Sequence, residues 1–407
     1  MKISILTLSS SEMVSSCNNS TLSLIRSTLY KNGQEIVSNS LVEPVSKILG
    51  SSLDFALQNS DCVLLLCESG LGKPYMAKKV ICDKFGGKLI NSIYAQKNID
   101  DYIARTNVPL QKEDMSFCQM PDVARSVKNP LGVFQGFLCE KDNKILFLLP
   151  LAHEELIHMF FASVLPYILQ SRGNNNKTFV LKTYGASYNE LILILKDFIA
   201  NKHNIEIVCN EYLRQGEIIV NVPKGVRSDV AENFVQEIYT KILPYVYSDK
   251  DESQPEFLYT LLCMYKQKVC FVEDFTSGNM CKMFMCSLPN AKDVISSSFV
   301  CPTDESKISL FDIDNSLLTT YRDEKELAYQ LAISGLKKSG ADLVVSTLGD
   351  IESGRLVYAI GSNEGVHIFT DIVSGSREQK IEMATNAVFF QLIKKIRKGD
   401  FGMGETI

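Results

Sequence analysis

The stretch Val269-Cys270-Phe271-Val272-Glu273-Asp274-Phe275-Thr276-Ser277-Gly278 decides how this chain folds. An apolar run breaks into small polar residues and a glycine, and apolar residues at helical spacing follow (Met280, Met283, Phe284). That order reads as strand, short loop, helix, the repeating unit of an α/β sheet. In such proteins ligands gather at the strand-to-helix junction, because backbone N–H groups at the helix start point outward. Glu273, Asp274, Thr276, Ser277 and Gly278 are therefore the first candidates for a functional site.

Outward from this junction the chain divides into three segments. In the first, residues 1–170, the apolar runs Ile3–Leu8, Cys62–Cys67 and Ile145–Leu149 are predicted as buried strands. Helical spacing between them (Leu22, Ile25, Leu29; Leu53, Ala56, Leu57) implies a mostly parallel sheet covered on both faces. The polar run Ser171-Arg172-Gly173-Asn174-Asn175-Asn176 is predicted as a linker. The second segment, 177–247, reads as strand, helix, strand, strand, helix, a small α+β unit. Ser248-Asp249-Lys250-Asp251-Glu252-Ser253-Gln254-Pro255 reads as a second linker, charged and without an apolar anchor. The third segment, 256–397, is predicted to hold five strands and a long last helix, Gln379–Ile396, with an apolar stripe through Ala384, Val388, Leu392 and Ile396. The last ten residues, with three glycines, read as a frayed tail.

Composition narrows the class. At 407 residues the chain exceeds one ordinary core. A net charge of −5 without a long basic stripe argues against nucleic-acid binding by bulk electrostatics. No apolar run is long enough for a membrane helix, and the start lacks the features of a signal peptide, so a cytoplasmic location is expected. The 12 cysteines are scattered singly, many within apolar runs, and read as buried reduced thiols. With four histidines, and His153 and His158 five residues apart, no metal site is predicted.

Four stretches together resemble the signatures of one known family: Glu273-Asp274-Phe275-Thr276-Ser277-Gly278; Asn129-Pro130-Leu131-Gly132-Val133-Phe134-Gln135-Gly136-Phe137; Leu148-Leu149-Pro150 with Glu155-Leu156 and Val164-Leu165-Pro166-Tyr167; and Leu66-Cys67-Glu68-Ser69-Gly70-Leu71-Gly72-Lys73-Pro74. The family is CinA, and the likeness runs over nearly the whole chain in the same domain order. It implies an N-terminal molybdopterin-binding-like three-layer α/β sandwich, a small α+β linking domain and a C-terminal α/β domain like the CinA amidohydrolase. It also implies a small nucleotide ligand, a homodimer, and either of two hydrolyses. One removes ammonia from nicotinamide mononucleotide in the C-terminal domain. The other cleaves ADP-ribose, with a divalent metal, in the N-terminal domain. No other cofactor is implied.

Departures from the signatures bear on that chemistry. Asp274 stands where the family carries its nucleophilic serine. Lys307 matches the lysine that takes the serine's proton, but the neighbouring Tyr and Asn have become Pro302 and Asp304. A lysine serves as a base only when its ammonium form is disfavoured, and two nearby carboxylates would do the reverse. Thr276 and Ser277 are the substitute hydroxyls in the same loop. Gly349 is kept from the family's substrate loop, and Arg377 is either a phosphate ligand or a solvated cation beside a helix start. Glu273 either contacts substrate or caps the following helix. In the N-terminal segment Gly70, Leu71, Gly72, Asn129 and Gly132 are the nucleotide-binding candidates, either as a phosphate cradle or as a structural turn. Met76 and Ala77 occupy the family's paired-aspartate positions and supply no hard oxygen ligand for a divalent ion. A Walker A loop is excluded, since Cys67 and Pro74 stand where it requires Gly and Ser or Thr. The expected function is thus that of a divergent, catalytically impaired relative that at most binds a nucleotide. The alternative is an active nicotinamide mononucleotide deamidase or ADP-ribose pyrophosphatase.

Overall fold

The structure, a computed structural model, describes residues 1–10, 16–70, 72–108, 116–171, 177–201, 203–314 and 323–399. Most of the Ser171–Asn176 linker, the glycine-rich tail and Leu71 lie outside the described residues. The chain separates into two compact units: residues 1–178 with 221–225, and residues 179–220 with 226–407.

In the first unit the strands are β1 (Lys2–Leu8), β2 (Glu35–Val42), β3 (Cys62–Cys67), β4 (Leu89–Asn91), β5 (Gln119–Pro121), β6 (Arg125–Val127), β7 (Gly136–Lys141) and β8 (Lys144–Pro150). The helices are α1 (Ser16–Lys31), α2 (Ser46–Asn59), α3 (Lys73–Phe85), α4 (Ile93–Thr106), α5 (His153–Met159) and α6 (Leu165–Ser171). Six strands form one sheet in the order β2-β1-β3-β8-β7-β6, parallel from β2 to β8 and antiparallel beyond. β3 shows why the centre is stable. All six residues of Cys-Val-Leu-Leu-Leu-Cys are buried, with Val63, Leu65 and Cys67 on one face and Cys62, Leu64 and Leu66 on the other. Each such leucine contributes roughly 1.5–3 kcal/mol of burial free energy, which is why a run without polar alternation sits between two helical layers. The edge strand β2 exposes Glu35, Asn39 and Ser40 among Val37 and Leu41, and the apolar-run criterion does not find it.

The second unit holds two sheets. β9 (Lys177–Tyr184), β10 (Glu206–Tyr212), β11 (Gln215–Val222) and β12 (Val246–Ser248) pair in the order β10-β11-β9-β12, with α7 (Tyr188–Ile199) and α8 (Ser228–Ile242). The other sheet, β14-β13-β15-β16-β17, is built from β13 (Val269–Glu273), β14 (Ile295–Val300), β15 (Leu343–Asp350), β16 (Arg355–Ser362) and β17 (Gly365–Ile372). Its helices are α9 (Gln254–Tyr265), α10 (Asn279–Ser287), α11 (Asp304–Phe311), α12 (Glu324–Ser339) and α13 (Arg377–Lys398). β13 runs parallel to both its neighbours, which puts its C-terminal end on the sheet rim between those of β14 and β15. Phe271 joins the core against α10 and α13, ringed by Phe284 and Phe389, while Cys270 and Val272 face α12.

The segment read as a charged linker, 248–255, is ordered structure. Ser248 ends β12, Ser253 and Glu256 form a reciprocal cap on α9, and Pro255 occupies the first turn, where its missing N–H is not needed. The four-stranded sheet is tied to α13. The Tyr184 hydroxyl donates to the Met383 carbonyl at 3.0 Å, and the Arg397 guanidinium donates to the carbonyls of Val246 and Tyr247.

Candidate active site

The β13–α10 junction is shaped by a buried carboxylate. Glu273 has no solvent exposure, and its carboxylate accepts from the backbone N–H groups of Met280 (3.0 Å) and Cys281 (3.1 Å) at the start of α10. It also accepts from the Thr276 hydroxyl at 2.8 Å and the Ser298 hydroxyl at 3.4 Å. The partial positive charge of the helix start is thus met by the chain's own anion. Thr276, also fully buried, lies 3.0 Å from the Thr347 hydroxyl, and the Asp274 N–H donates to the Thr347 carbonyl at 3.1 Å. Ser277 and Gly278 then take left-handed backbone in succession (φ 52° and 87°), turning the chain into α10. The Ser277 hydroxyl is exposed and donates to the Asp274 carbonyl at 3.3 Å.

Lys307 comes to this loop from the first turns of α11, capped by Thr303 and Ser306. It is 1% exposed, its Nζ lying 2.8 Å from Asp274 Oδ2 and 3.4 Å from Asp304 Oδ1. The fold therefore brings together the residue at the family's nucleophile position, the residue at its base position and a second carboxylate. What they form is a buried lysine held between two carboxylate acceptors.

Two more candidates are placed by backbone needs or by the surface. Gly349 adopts φ 137° within β15 opposite Leu356, and a Cβ there would lie 2.0 Å from the Arg355 carbonyl oxygen, so the position demands glycine for its backbone alone. Arg377 opens α13, is exposed, and reaches Glu352 at 3.5 Å. The same loop side of the junction opens on a cavity of about 670 Å³ between α10 and α13, which neither Lys307 nor Asp274 lines.

The N-terminal junction repeats the internal-anion theme. Glu68 follows β3 directly and accepts from the Ser9 hydroxyl and from Lys73, the first residue of α3. Gly72 caps α3 in left-handed backbone (φ 72°), and neither Gly70 nor Gly72 has a neighbour where a Cβ would lie. Leu71 lies outside the described residues. Asn129 uses its amide within its own loop. Its NH2 donates to the Phe134 carbonyl (2.9 Å) and Glu155 (2.7 Å), and its oxygen accepts from Leu131 and Gly132 N–H. Burial raises the pKa of Glu155, and the Asn129 bond opposes that. At the positions where the family implies a divalent metal, Ala77 is buried in the core and Met76 packs against it, so these residues do not fit the ion. Among the described residues no group of three or more His, Cys, Asp or Glu side chains is arranged to hold a metal.

Sequence reasoning missed Thr347, Ser298 and Lys78. Thr347 and Ser298 are legible only once strand register places β15 and β14 beside β13. Lys78 left a signal, a lysine among Ala77, Val80 and Ile81 on the apolar face of α3.

Comparison with known proteins fits this arrangement. Residues 251–396 match the model of the CinA C-terminal domain. A competence-damage inducible protein of Caldicellulosiruptor saccharolyticus is 26% identical over 363 residues, covering 86% of this chain and 88% of that protein. A CinA-like protein of Dictyoglomus thermophilum is 25% identical over 307 residues, 74% of each chain. Residues 251–396 thus carry a CinA C-terminal domain, and most of the chain is similar in sequence to CinA-like proteins. Among solved structures, the CinA protein of Thermoplasma acidophilum aligns at 17% identity over 40% of this chain and 96% of that one, with a TM-score of 0.35. MoaB, a molybdopterin biosynthesis enzyme of Thermus thermophilus, aligns at 14% identity over 41% and 91%, with a TM-score of 0.27. Set against the CinA signatures, this chain keeps the lysine and the loop glutamate, and it has rebuilt what lies between them as an ion-paired, hydrogen-bonded corner.

Proposed function

We propose that the C-terminal unit binds a small nicotinamide nucleotide and has lost the capacity to deamidate it. The supporting observation is the contact of Lys307 Nζ with Asp274 at 2.8 Å and Asp304 at 3.4 Å. Amide hydrolysis by the CinA route needs a hydroxyl, a base to take its proton, and donors for the oxyanion. Here the hydroxyl position carries a carboxylate, and the lysine at the base position is ion-paired to it and to Asp304. The nearest substitute hydroxyl, Thr276, is fully buried and donates to Glu273. Ser277 is exposed but turned onto the loop's own carbonyls.

Binding groups remain. Lys282 is an exposed cation that lines the α10–α13 cavity and suits a phosphate, and the cavity's volume of about 670 Å³ is within the range of small-molecule sites. In the N-terminal unit the substituted metal positions argue for the same loss of hydrolysis.

The test is to incubate the purified chain with nicotinamide mononucleotide, and separately with ADP-ribose and Mg²⁺ or Mn²⁺, and to measure ammonia, AMP and binding heat. Binding of the mononucleotide without ammonia release is expected. Ammonia release near ordinary enzyme rates, about 10 per second, would overturn the proposal.

A further inference from the structure

The α10–α13 cavity carries charge that no ion pair neutralises among the described residues. On the α13 side Glu378 and Glu382 lie one helical turn apart and both line it. Among the described residues neither carboxylate has a hydrogen-bond or ion-pair partner. Glu382 is half-buried, and its carboxyl pKa is raised by desolvation alone. On the α10 side stand Lys282, Met283, Asn279 and Ser277. No ion pair joins Lys282 to either glutamate among the described residues. The cavity thus has a negative wall, a positive wall and an apolar strip that includes Met283 and Ile381.

We propose that this cavity selects the positive charge on the ligand's ring, with Glu378 and Glu382 as the specificity-determining residues. The inference rests on the nucleotide reading above and deepens it, since it names the feature recognised. A desolvated carboxylate without a counter-ion gains most from a fixed, weakly hydrated cation, and an oxidised pyridinium is one. A neutral dihydropyridine ring offers the same shape without the charge. A ring bearing an added carboxylate, the product of deamidation, would meet two like charges. Lys282, on the opposite wall, suits the phosphate end.

The experiment measures binding by calorimetry and ligand-observed NMR for four probes: oxidised and reduced nicotinamide mononucleotide, 1-methylnicotinamide (a pyridinium without ribose or phosphate), and neutral nicotinamide. Wild type is compared with Glu378→Gln/Glu382→Gln. The oxidised mononucleotide is expected to bind at least about tenfold more tightly than the reduced form, as one partly desolvated ionic contact gives, and the double variant is expected to erase the difference. Equal binding of both redox forms to wild type would overturn this inference and leave the nucleotide reading standing. Glutamate-dependent binding of 1-methylnicotinamide over nicotinamide, with no mononucleotide binding, would keep the cation site and remove the nucleotide reading. No binding by any probe would remove both.

Discussion

Replacing Asp274 by alanine separates a structural role for the Lys307 corner from a catalytic remnant. Lys307 is buried, with Asp274 at 2.8 Å and Asp304 at 3.4 Å. Removing one member of a buried pair typically costs about 3–5 kcal/mol, because it strands the other charge. Two features reduce that here. The Asp274 side chain is 20% exposed, so water can replace part of what it gave, and Asp304 remains, although at 38% exposure it holds the ammonium weakly. The expected loss is about 2 kcal/mol. Lys307→Met acts differently. It removes the buried charge, keeps most of the volume and leaves two carboxylates that both reach solvent, so the expected loss is under about 1 kcal/mol.

The ordering of the two variants is the discriminating result. A chain of two compact units need not unfold in one step, so hydrogen exchange on the full chain is the suitable assay. Peptides covering 295–311 should lose protection by roughly thirtyfold in Asp274→Ala, while peptides covering β3 in the other unit stay unchanged and serve as the internal reference. If Asp274→Ala leaves protection intact, or if Lys307→Met proves the more damaging change, the ion pair does not hold this corner. The case that it replaced a catalytic pair would then fall with it.

Two further expectations come from single residues. Lys78 is wholly buried, donates to the Ser116 carbonyl at 2.9 Å, and is pushed by desolvation from 10.5 to about 8, with Cys67 and Cys118 nearby opposing the shift. Below that value both folded and unfolded chains hold the proton. Between about 8 and 10.5 the unfolded chain binds more, so stability rises with pH across that window. Lys78→Met should therefore be more stable than wild type at pH 7 by up to about 3 kcal/mol, an advantage that shrinks toward pH 10.5; a difference constant with pH in urea titrations would contradict this. Gly349→Ala should destabilise the second unit by about 3 kcal/mol through left-handed strain and the clash with Arg355, lowering its thermal midpoint, and an unchanged midpoint would show that the β15–β16 pair can shift to admit a methyl group.

The strands that sequence makes plain are those buried on both faces. Val269–Val272, Cys62–Cys67 and Ile145–Leu149 are apolar throughout and fall within β13, β3 and β8. The last helix read in the 177–247 segment falls at α8. What composition hides is order held by polar groups. The 248–255 segment looks like a solvated linker, yet Ser248, Ser253 and Glu256 satisfy one another and α9. In the candidate site, the family resemblance singles out Lys307 and Asp274 but leaves their proximity open, and the geometry brings both together with Asp304. The partners of Glu273 were not legible beyond its helix, because Ser298 sits on a strand that is adjacent only through parallel register.

The two strand-to-helix junctions share a physical logic that bears on where a ligand can sit. After β13 the helix start is met by Glu273, and after β3 Glu68 pairs with Lys73 at the first residue of α3. At α10 the Glu273 carboxylate occupies the position that a bound phosphate takes in nucleotide-binding α/β proteins, whereas Glu68 is bonded to the Ser9 and Lys73 side chains. A phosphate arriving at the start of α10 would have to displace a buried anion already bonded to the same N–H groups, and would meet like charge on the way. Binding there is therefore disfavoured by construction. Among the described residues Lys282 on one wall of the α10–α13 cavity, and Glu378 with Glu382 on the other, have no such internal partner, so the cavity between them, one helix face away from the junction, is the better place for a charged ligand.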